Sequence, residues 1–407
     1  MALSGSRIGV VGGSLAGCAA ATVLRRMGCD VTVYERTTGE LRSRGVGIAL
    51  PIEMQYELVS GGYLQENVPF VSNVERNWVV EAGGGESRLI WRQHLPAAFT
   101  NWGLLWQGVR AAVPDGVYRA GVTVTDVRAG DDGVEIGFAD GPPERFDLVI
   151  GADGYQSRLR RLVHPRSRLS YAGYVLWRGT CEEHLLTDPV LRELILHGAV
   201  TTCFDGGHAI LYRIPAGYSG TSADGGLLNW GIYGRPPEWF ALRGEAWVPP
   251  GRVDGDLAGH LVRLVDERLS GGWRRLVRRT GTPRLAIQPI FDLTMPSYVS
   301  GRVLLMGDAG TVARPHTGAG AVKALRDAIA LGRIAREHDD WRRVFAAYDA
   351  ERRAEGNATV ELGRRLGHAQ VERTPDWAGM TPAAFQEWVR DTVAGGSRYL
   401  YTELGDG

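Results

Sequence analysis

Lysine is almost missing from this chain: of 46 basic residues only Lys323 is one, and arginine supplies the rest. The skew says little about function by itself, but it excludes one chemistry below. Cysteine is scarce too, with Cys18, Cys29, Cys181 and Cys203 and no C-x-x-C spacing. That usage reads as a reduced, cytoplasmic protein with no disulfide framework and no zinc site, so no metal is expected. Net charge is absent: 46 acidic residues balance the 46 basic ones. No general pull toward nucleic acid or a membrane surface is therefore indicated. An apolar stretch at residues 8–24 follows Arg7, yet it holds glycines and runs on through Arg25 and Arg26 into a second strand pattern. It is expected to be a strand, a turn and a helix, not a secretory signal.

What is present in excess is glycine, 56 of 407 residues, without a Gly-X-Y period. Such an excess suits a fold that brings bare backbone against a ligand. A hydrophobic fraction of 44% and a charged fraction of 23% are those of a globular protein, long enough for two packed domains.

Residues 7–11 form a short apolar strand, 15–27 have helical length, and 30–34 alternate as a β-branched strand. Strands follow at 123–127 and 134–138 around the turn Gly130-Asp131-Asp132-Gly133, and 146–150 is a run of the fully buried kind. From about residue 170 to 293 the texture changes to short aromatic strands at 171–177, 201–204, 209–215 and 227–233, with a helix near 257–268 among them. A buried strand returns at 302–306, then helices at about 318–336 and 341–365, and a tail with a short helical pattern and a Gly-rich end. The expected fold class is α/β. Residues 1–169 and 294–370 would make one discontinuous Rossmann-like domain, 170–293 an inserted antiparallel sheet for the substrate, and 371–407 a C-terminal helical tail.

Chemistry begins at Gly12-Gly13-Ser14-Leu15-Ala16-Gly17, which follows a strand and opens a helix, with Glu35 ending the next strand. Gly12 permits the tight turn and Gly17 lets the helix pack on the strand. The helix start then offers N–H groups to a pyrophosphate, and Glu35 can accept from a ribose diol. Ser14 replaces the middle glycine of G-x-G-x-x-G. This fingerprint alone does not separate NAD from FAD.

Two later segments do. The first runs Asp147-Leu148-Val149-Ile150-Gly151-Ala152-Asp153-Gly154 and on to Ser157, Arg158 and Arg160; the second runs Gly301 to Gly307-Asp308-Ala309 and through Arg314-Pro315-His316-Thr317-Gly318-Ala319-Gly320 into a helix. With the first fingerprint, in this order and spacing, they resemble the signatures of the FAD-dependent aromatic hydroxylases of the para-hydroxybenzoate hydroxylase type. The resemblance implies a GR2-type FAD-binding domain. In it Asp308 would bond the ribityl chain, and Pro315 to Gly320, with Ala319 and Ala321, would lie along the isoalloxazine. Helix-start amides there would face the ring edge that gains negative charge on reduction. Asp153 and Gly154 would help hold the pyrophosphate, with Arg36, Arg44 and Val127 also near the cofactor. Turn capping is the plain alternative for Asp153 and Asp308, and a solvated loop for Arg42 and Arg44. Relatives often carry an arginine near residue 106, where this chain has Leu105-Trp106-Gln107-Gly108 with Arg110 further on.

Tyr171-Ala172-Gly173-Tyr174-Val175-Leu176-Trp177-Arg178-Gly179, Gly207-His208, Tyr212-Arg213-Ile214-Pro215 and Arg314-Pro315-His316 look like 2,6-dihydroxypyridine 3-hydroxylase and its relatives. The implied reaction takes a hydride from NADPH or NADH onto FAD, then uses O₂ and a C4a-hydroperoxyflavin to oxygenate a hydroxypyridine or phenol. The cofactor carries the chemistry, and the protein positions the ring and excludes water. His316 and His208 are the candidate bases. Tyr212 and Arg213 point to opposite faces of one strand, and the sequence does not say which faces substrate. Trp177 and Trp230 are aromatic walls or core. Dimers are common among such proteins, so a homo-oligomer is among the partners the resemblance admits. A flavin-dependent halogenase needs a lysine in its first domain and a W-x-W-x-I-P segment, and neither is present. A non-catalytic flavoprotein module and a flavin-independent NAD-dependent dehydrogenase stay as rivals; bound flavin would exclude the second.

Overall fold

Strand β1 (Arg7–Val11) is apolar on both faces, which suits only a strand covered on both sides. The computed structural model describes residues 3–39, 41, 46–81, 87–217, 226–241, 248–394 and 401, so Arg42 and Arg44 lie outside the described residues. In it β1 pairs in parallel with β2 (Asp30–Glu35) and β10 (Leu148–Gly151). Outward from these lie β6 (Tyr118–Ala120) on one side, and β17 (Val303–Leu305) with the short β16 (Val299–Ser300) on the other. One face is covered by the helices Leu15–Arg26 and Ala319–Glu337. The other carries a small antiparallel sheet of β7 (Val124–Ala129), β8 (Val134–Phe138) and β9 (Glu144–Phe146). Gly9 makes that contact close: a Cβ there would lie 2.7 Å from Ile136 Cδ1.

The second large sheet has eight strands in the order β15 (Leu285–Asp292), β11 (Ser170–Glu182), β14 (Leu227–Gly234), β13 (Gly207–Ile214), β12 (Gly198–Phe204), β4 (Val71–Glu81), β5 (Ser87–Asn101) and β3 (Gly47–Pro51). Its strands alternate, as a sheet with two different coverings requires. Trp177, Val200, Leu211, Trp230 and Ile232 pack under the helices Pro189–His197, Gly255–Arg268 and Gly271–Thr280. The alternate set, including Leu176, Thr201, His208, Ile210, Tyr212 and Tyr233, faces the first lobe across a cavity.

Two boundaries differ from expectation. The sheet does not begin at residue 170, because β3, β4 and β5 come from residues 47–101. They are not an appendage. Glu75–Val80 of β4 runs parallel to Gly198–Cys203 of β12, and parallel neighbours need a long crossover, here the chain between them through the first lobe. The helix expected at 341–365 is Trp341–Tyr348 and Ala354–Gly367 joined by a π-turn at Asp349–Arg353. In the tail, the helix Pro382–Val393 closes over the β4 end of the sheet, with Phe385, Trp388 and Val389 against Trp78 and Val80; of the Gly-rich end, only Tyr401 is described.

Candidate active site

A cavity of about 1130 Å³ runs between the two sheets, from the Gly12 turn to His208. At its first end Gly12 adopts φ +106°, and a Cβ there would sit 2.2 Å from the Ala152 carbonyl oxygen. Gly17 does not reach the cavity. It packs, with a hypothetical Cβ 1.8 Å from the Gly12 oxygen. Gly12, Ser14, Leu15, Ala16, Glu35, Arg36 and Val127 all line the space. Glu35 is held rigid, accepting from the Gly13 and Thr37 amides, each at 2.9 Å. Trp106, where an arginine is common among relatives, donates its Nε1–H to the Gly13 oxygen at 2.9 Å and so braces the turn from beneath. Arg110 is engaged with Asp115 at 2.8 Å.

Asp153 has the plainer of its two roles. Its carboxylate accepts from the Ser157 hydroxyl at 2.5 Å and the Arg158 amide at 2.7 Å, capping the helix Leu159–Val163, although Asp153 and Gly154 still line the cavity. Asp308 differs: it lines the cavity and its carboxylate has no hydrogen-bond partner among the described residues. Its side chain is open to the cleft, and the loss of bulk water between the cleft walls raises its pKa, against the pull of Lys323 and Arg160. Gly318, at φ +65°, turns the chain into the 19-residue helix Ala319–Glu337, and Pro315, Gly318, Ala319, Gly320 and Ala321 line the cavity at that helix start.

The sole lysine sits beneath this turn. Lys323 donates to the Gly307 oxygen at 2.9 Å and to Asp327 at 2.7 Å, and Asp327 also accepts from Arg352 at 2.8 Å and the Gly307 amide at 2.9 Å. Burial works against the lysine's charge and Asp327 more than restores it, leaving the ammonium above its ordinary pKa. Sequence reasoning used Lys323 only to exclude a halogenase; its i, i+4 spacing to Asp327 on one helix was the available signal.

Past the turn lies an aromatic chamber. The rings of Tyr233, His208 and His316 meet in a triangle: Tyr233 stacks on His208 at 4.4 Å and on His316 at 4.2 Å between centroids, and the two histidines are 5.0 Å apart. Tyr174 Oη is 2.7 Å from His316 Nε2 and accepts from Arg314 at 3.3 Å. Arg314 is itself fixed by Asp292, at 2.8 Å, and by Glu372. A guanidinium only donates, so the Tyr174 hydroxyl gives its proton to His316 Nε2. Neutral His316 then carries its own proton on Nδ1, which has no partner, as is also true of His208 Nδ1. Burial pushes both histidines down; for His208, burial with the nearby Arg76 charge brings the pKa to about 3.

The choice left open between Tyr212 and Arg213 is settled by packing. Tyr212 faces the cavity. Arg213 lies on the other face, paired with Glu183 at 3.2 Å, and its place among the catalytic candidates is withdrawn. Trp177 and Trp230 are fully buried in the core beyond the sheet. Arg76 and Arg178, neither singled out for the site, line it: Arg178 donates to Gln288 at 3.2 Å and the Gly47 oxygen at 3.3 Å. Among the described residues no group of three His, Cys, Asp or Glu side chains could hold a metal, and no helix is long and apolar enough to cross a membrane.

The glycine cradle at Gly12, the unpartnered Asp308 and the helix-start amides at Gly318–Ala321 fit FAD laid along one continuous space. Known proteins agree. Residues 10–40 match the NAD(P)-binding Rossmann-like domain and residues 171–238 the FAD binding domain-like family. The chain is 29% identical to 2,6-dihydroxypyridine 3-monooxygenase of Paenarthrobacter nicotinovorans, over 89% of this chain and 92% of that protein. It is 30% identical to 3-amino-4-hydroxybenzoate 2-monooxygenase PtmB3 of Streptomyces platensis, over 80% and 78%. The solved 2,6-dihydroxypyridine-3-hydroxylase from Arthrobacter nicotinovorans superposes with a TM-score of 0.80 at 25% identity, over 92% of this chain and 96% of that one. A shared cofactor cradle, a shared sheet and relatives spanning most of its length place one conclusion beyond the motifs: the chain belongs to the FAD-dependent aromatic hydroxylase family.

Proposed function

We propose that this protein hydroxylates an electron-rich aromatic ring, a hydroxypyridine or phenol, with FAD as cofactor and NADH or NADPH and O₂ as co-substrates. The observation that carries the reading is the continuity of the cavity, which joins the Gly12 turn to the aromatic chamber past Gly318. FAD, when bound, supplies hydride acceptance and oxygen activation. Every other contribution belongs to the chain. Gly12, Ser14 and the helix start hold the pyrophosphate, Glu35 the ribose and Asp308 the ribityl chain. The amides of Gly318 to Ala321 offer positive dipole where charge accumulates on reduction. Pro315 and His316 form the wall between cofactor and ring. His208 and His316, kept neutral by burial, are suited to hold a substrate hydroxyl in different ways: His316, whose Nε2 is taken by Tyr174, offers its Nδ1–H as a donor, and a neutral His208 can accept a proton where an imidazolium cannot. Trp230 and Trp177 seal the sheet from behind and so keep water out.

The test is a panel of phenols and hydroxypyridines added to the yellow holoprotein. Expected are ring-stimulated NAD(P)H oxidation, O₂ uptake and a product heavier by one oxygen atom. Bound flavin with no stimulation by any member of the panel would reject hydroxylation in favour of a binding module.

A further inference from the structure

We infer that the ring taken by this site carries an uncharged, apolar substituent, received in a pouch where the second sheet curls on itself. The inference rests on the hydroxylase reading above and narrows its substrate. β14 is third in the order of that sheet and β3 is last, yet the Gly47 amide of β3 donates to Asn229 Oδ1 of β14 at 2.8 Å. The approach needs bare backbone, because a Cβ on Gly47 would lie 2.6 Å from the Tyr212 ring. Inside the curl Ala49, Leu95, Phe99, Ala199, Ile210 and Tyr212 pack as one cluster, and each of them also lines the cavity. The Phe99 and Tyr212 rings meet at 4.7 Å between centroids and close it on one side.

All six side chains come from β3, β5, β12 and β13, whereas every group that holds FAD in the reading above belongs to the first lobe. The pouch is thus on the side of the substrate ring. Two features make it a receptor and not a filled core. Ala49 and Ala199 stop at the β-carbon, where larger side chains would fill the curl, and Ile210 is only half-buried although it lies inside the cleft. Apolar surface left uncovered in a cleft gains from an apolar ligand and not from a charged one. The nearby cations turn elsewhere. Arg76 is the cross-strand neighbour of Ala199, but its Nε–H reaches Thr201 Oγ1 at 2.8 Å and its guanidinium carbon lies 4.0 Å from the Trp78 ring centroid, two residues further along both strands. Arg178 is turned to Gln288 at 3.2 Å and to the Gly47 oxygen at 3.3 Å. The Tyr212 hydroxyl is the one polar group among the six side chains, and burial keeps it uncharged, its pKa pushed up to about 12.

The experiment compares phenol, and in parallel 2-hydroxypyridine, with their methyl, ethyl and propyl derivatives meta and para to the hydroxyl. Binding to the holoenzyme is read from the flavin absorbance change, and turnover from stimulated NAD(P)H oxidation. In at least one of these series each added carbon tightens binding about three- to fourfold, as burial of a methylene group does. Polar rings of matched size, with hydroxymethyl or carboxylate at the position of the ethyl group, bind about tenfold or more weakly than the ethyl ring. Ala199→Leu and Ala49→Leu, each checked for FAD content, fill the pouch and lose the gain from alkylation. Flat affinity across every alkyl series in the unmodified enzyme overturns the inference without needing a variant. So does a polar ring that equals or outdoes its ethyl counterpart, or an alkyl gain that persists in both flavin-replete variants. Hydroxylation of the plain rings with no gain from alkyl groups would sink this inference and leave the hydroxylase reading standing, whereas flavin-loaded protein indifferent to every ring would sink both.

Discussion

At His208 burial removes the water that would stabilise an imidazolium, the Arg76 charge opposes the same proton, and only a backbone contact at Gln370 favours it. The folded chain therefore refuses a proton that the unfolded chain accepts at about pH 6.5. Its neighbour His316 is shifted in the same direction, and burial is again the first cause. Depressed folded pKa values mean that the stability they contribute is present above about pH 6.5 and is lost as pH falls toward 3. The loss is up to about 1.4 kcal/mol per pH unit for each ring. Denaturant midpoints measured from pH 8 to pH 4.5 are expected to fall on the acid side, and His208→Asn to show a shallower fall. An unchanged slope in that variant would mean that His208 is protonated in the fold. At this scale the sequence disclosed Asp308 and Gly318, because a motif fixes their place. It did not disclose the faces of Tyr212 and Arg213, since alternation defines two faces without naming the inner one.

Among the elements, the turn at Gly307–Asp308 has the most to lose from a single change. Its amide and its carbonyl are both tied to the Lys323–Asp327 pair, and Arg352 completes the network in a fully buried setting. Without the lysine Asp327 keeps Arg352 as its counter-charge, but the buried Gly307 oxygen loses its side-chain donor and Asp327 one of its own, and leaving a buried acceptor unsatisfied costs about 1–3 kcal/mol. Lys323→Met is expected to lower unfolding free energy by that amount and to release FAD more readily on dilution, followed by the rise of free-flavin fluorescence. Retention of both stability and flavin would show that the turn holds its shape without the lysine. The helix carrying Lys323 was legible from its period and its Gly-rich start, whereas β4 and β5 were not. Arg76 and Glu75 interrupt one, and Pro96 the other, and a proline argues against an interior strand. The register shift between Asn73 and Glu75, opposite Ala97 and His94, accommodates it as a bulge.

The whole molecule is stitched together at β4 and β12. All seven residues of Gly198–Phe204 are buried, and six of them have parallel partners in a strand that the chain makes more than a hundred residues earlier. We propose, in consequence, that residues 170–293 are not an independent folding unit. Cut out alone, they would keep β11 to β15 and three covering helices, but β12 would become a bare edge of unpaired amides and carbonyls, the kind of edge that aggregates. The cavity face of β13 and β14 would also lose the lobe that covers it, exposing Tyr212, Ile210 and Tyr233 to water. The excised fragment is expected to be poorly dispersed in its amide proton spectrum and to bind a hydrophobic dye, while a fragment of residues 46–293, which restores β3 to β5, should gain dispersion. A well-dispersed spectrum from 170–293 alone would mean that the sheet closes without β4. The sequence boundary at 170 would then mark a true domain after all.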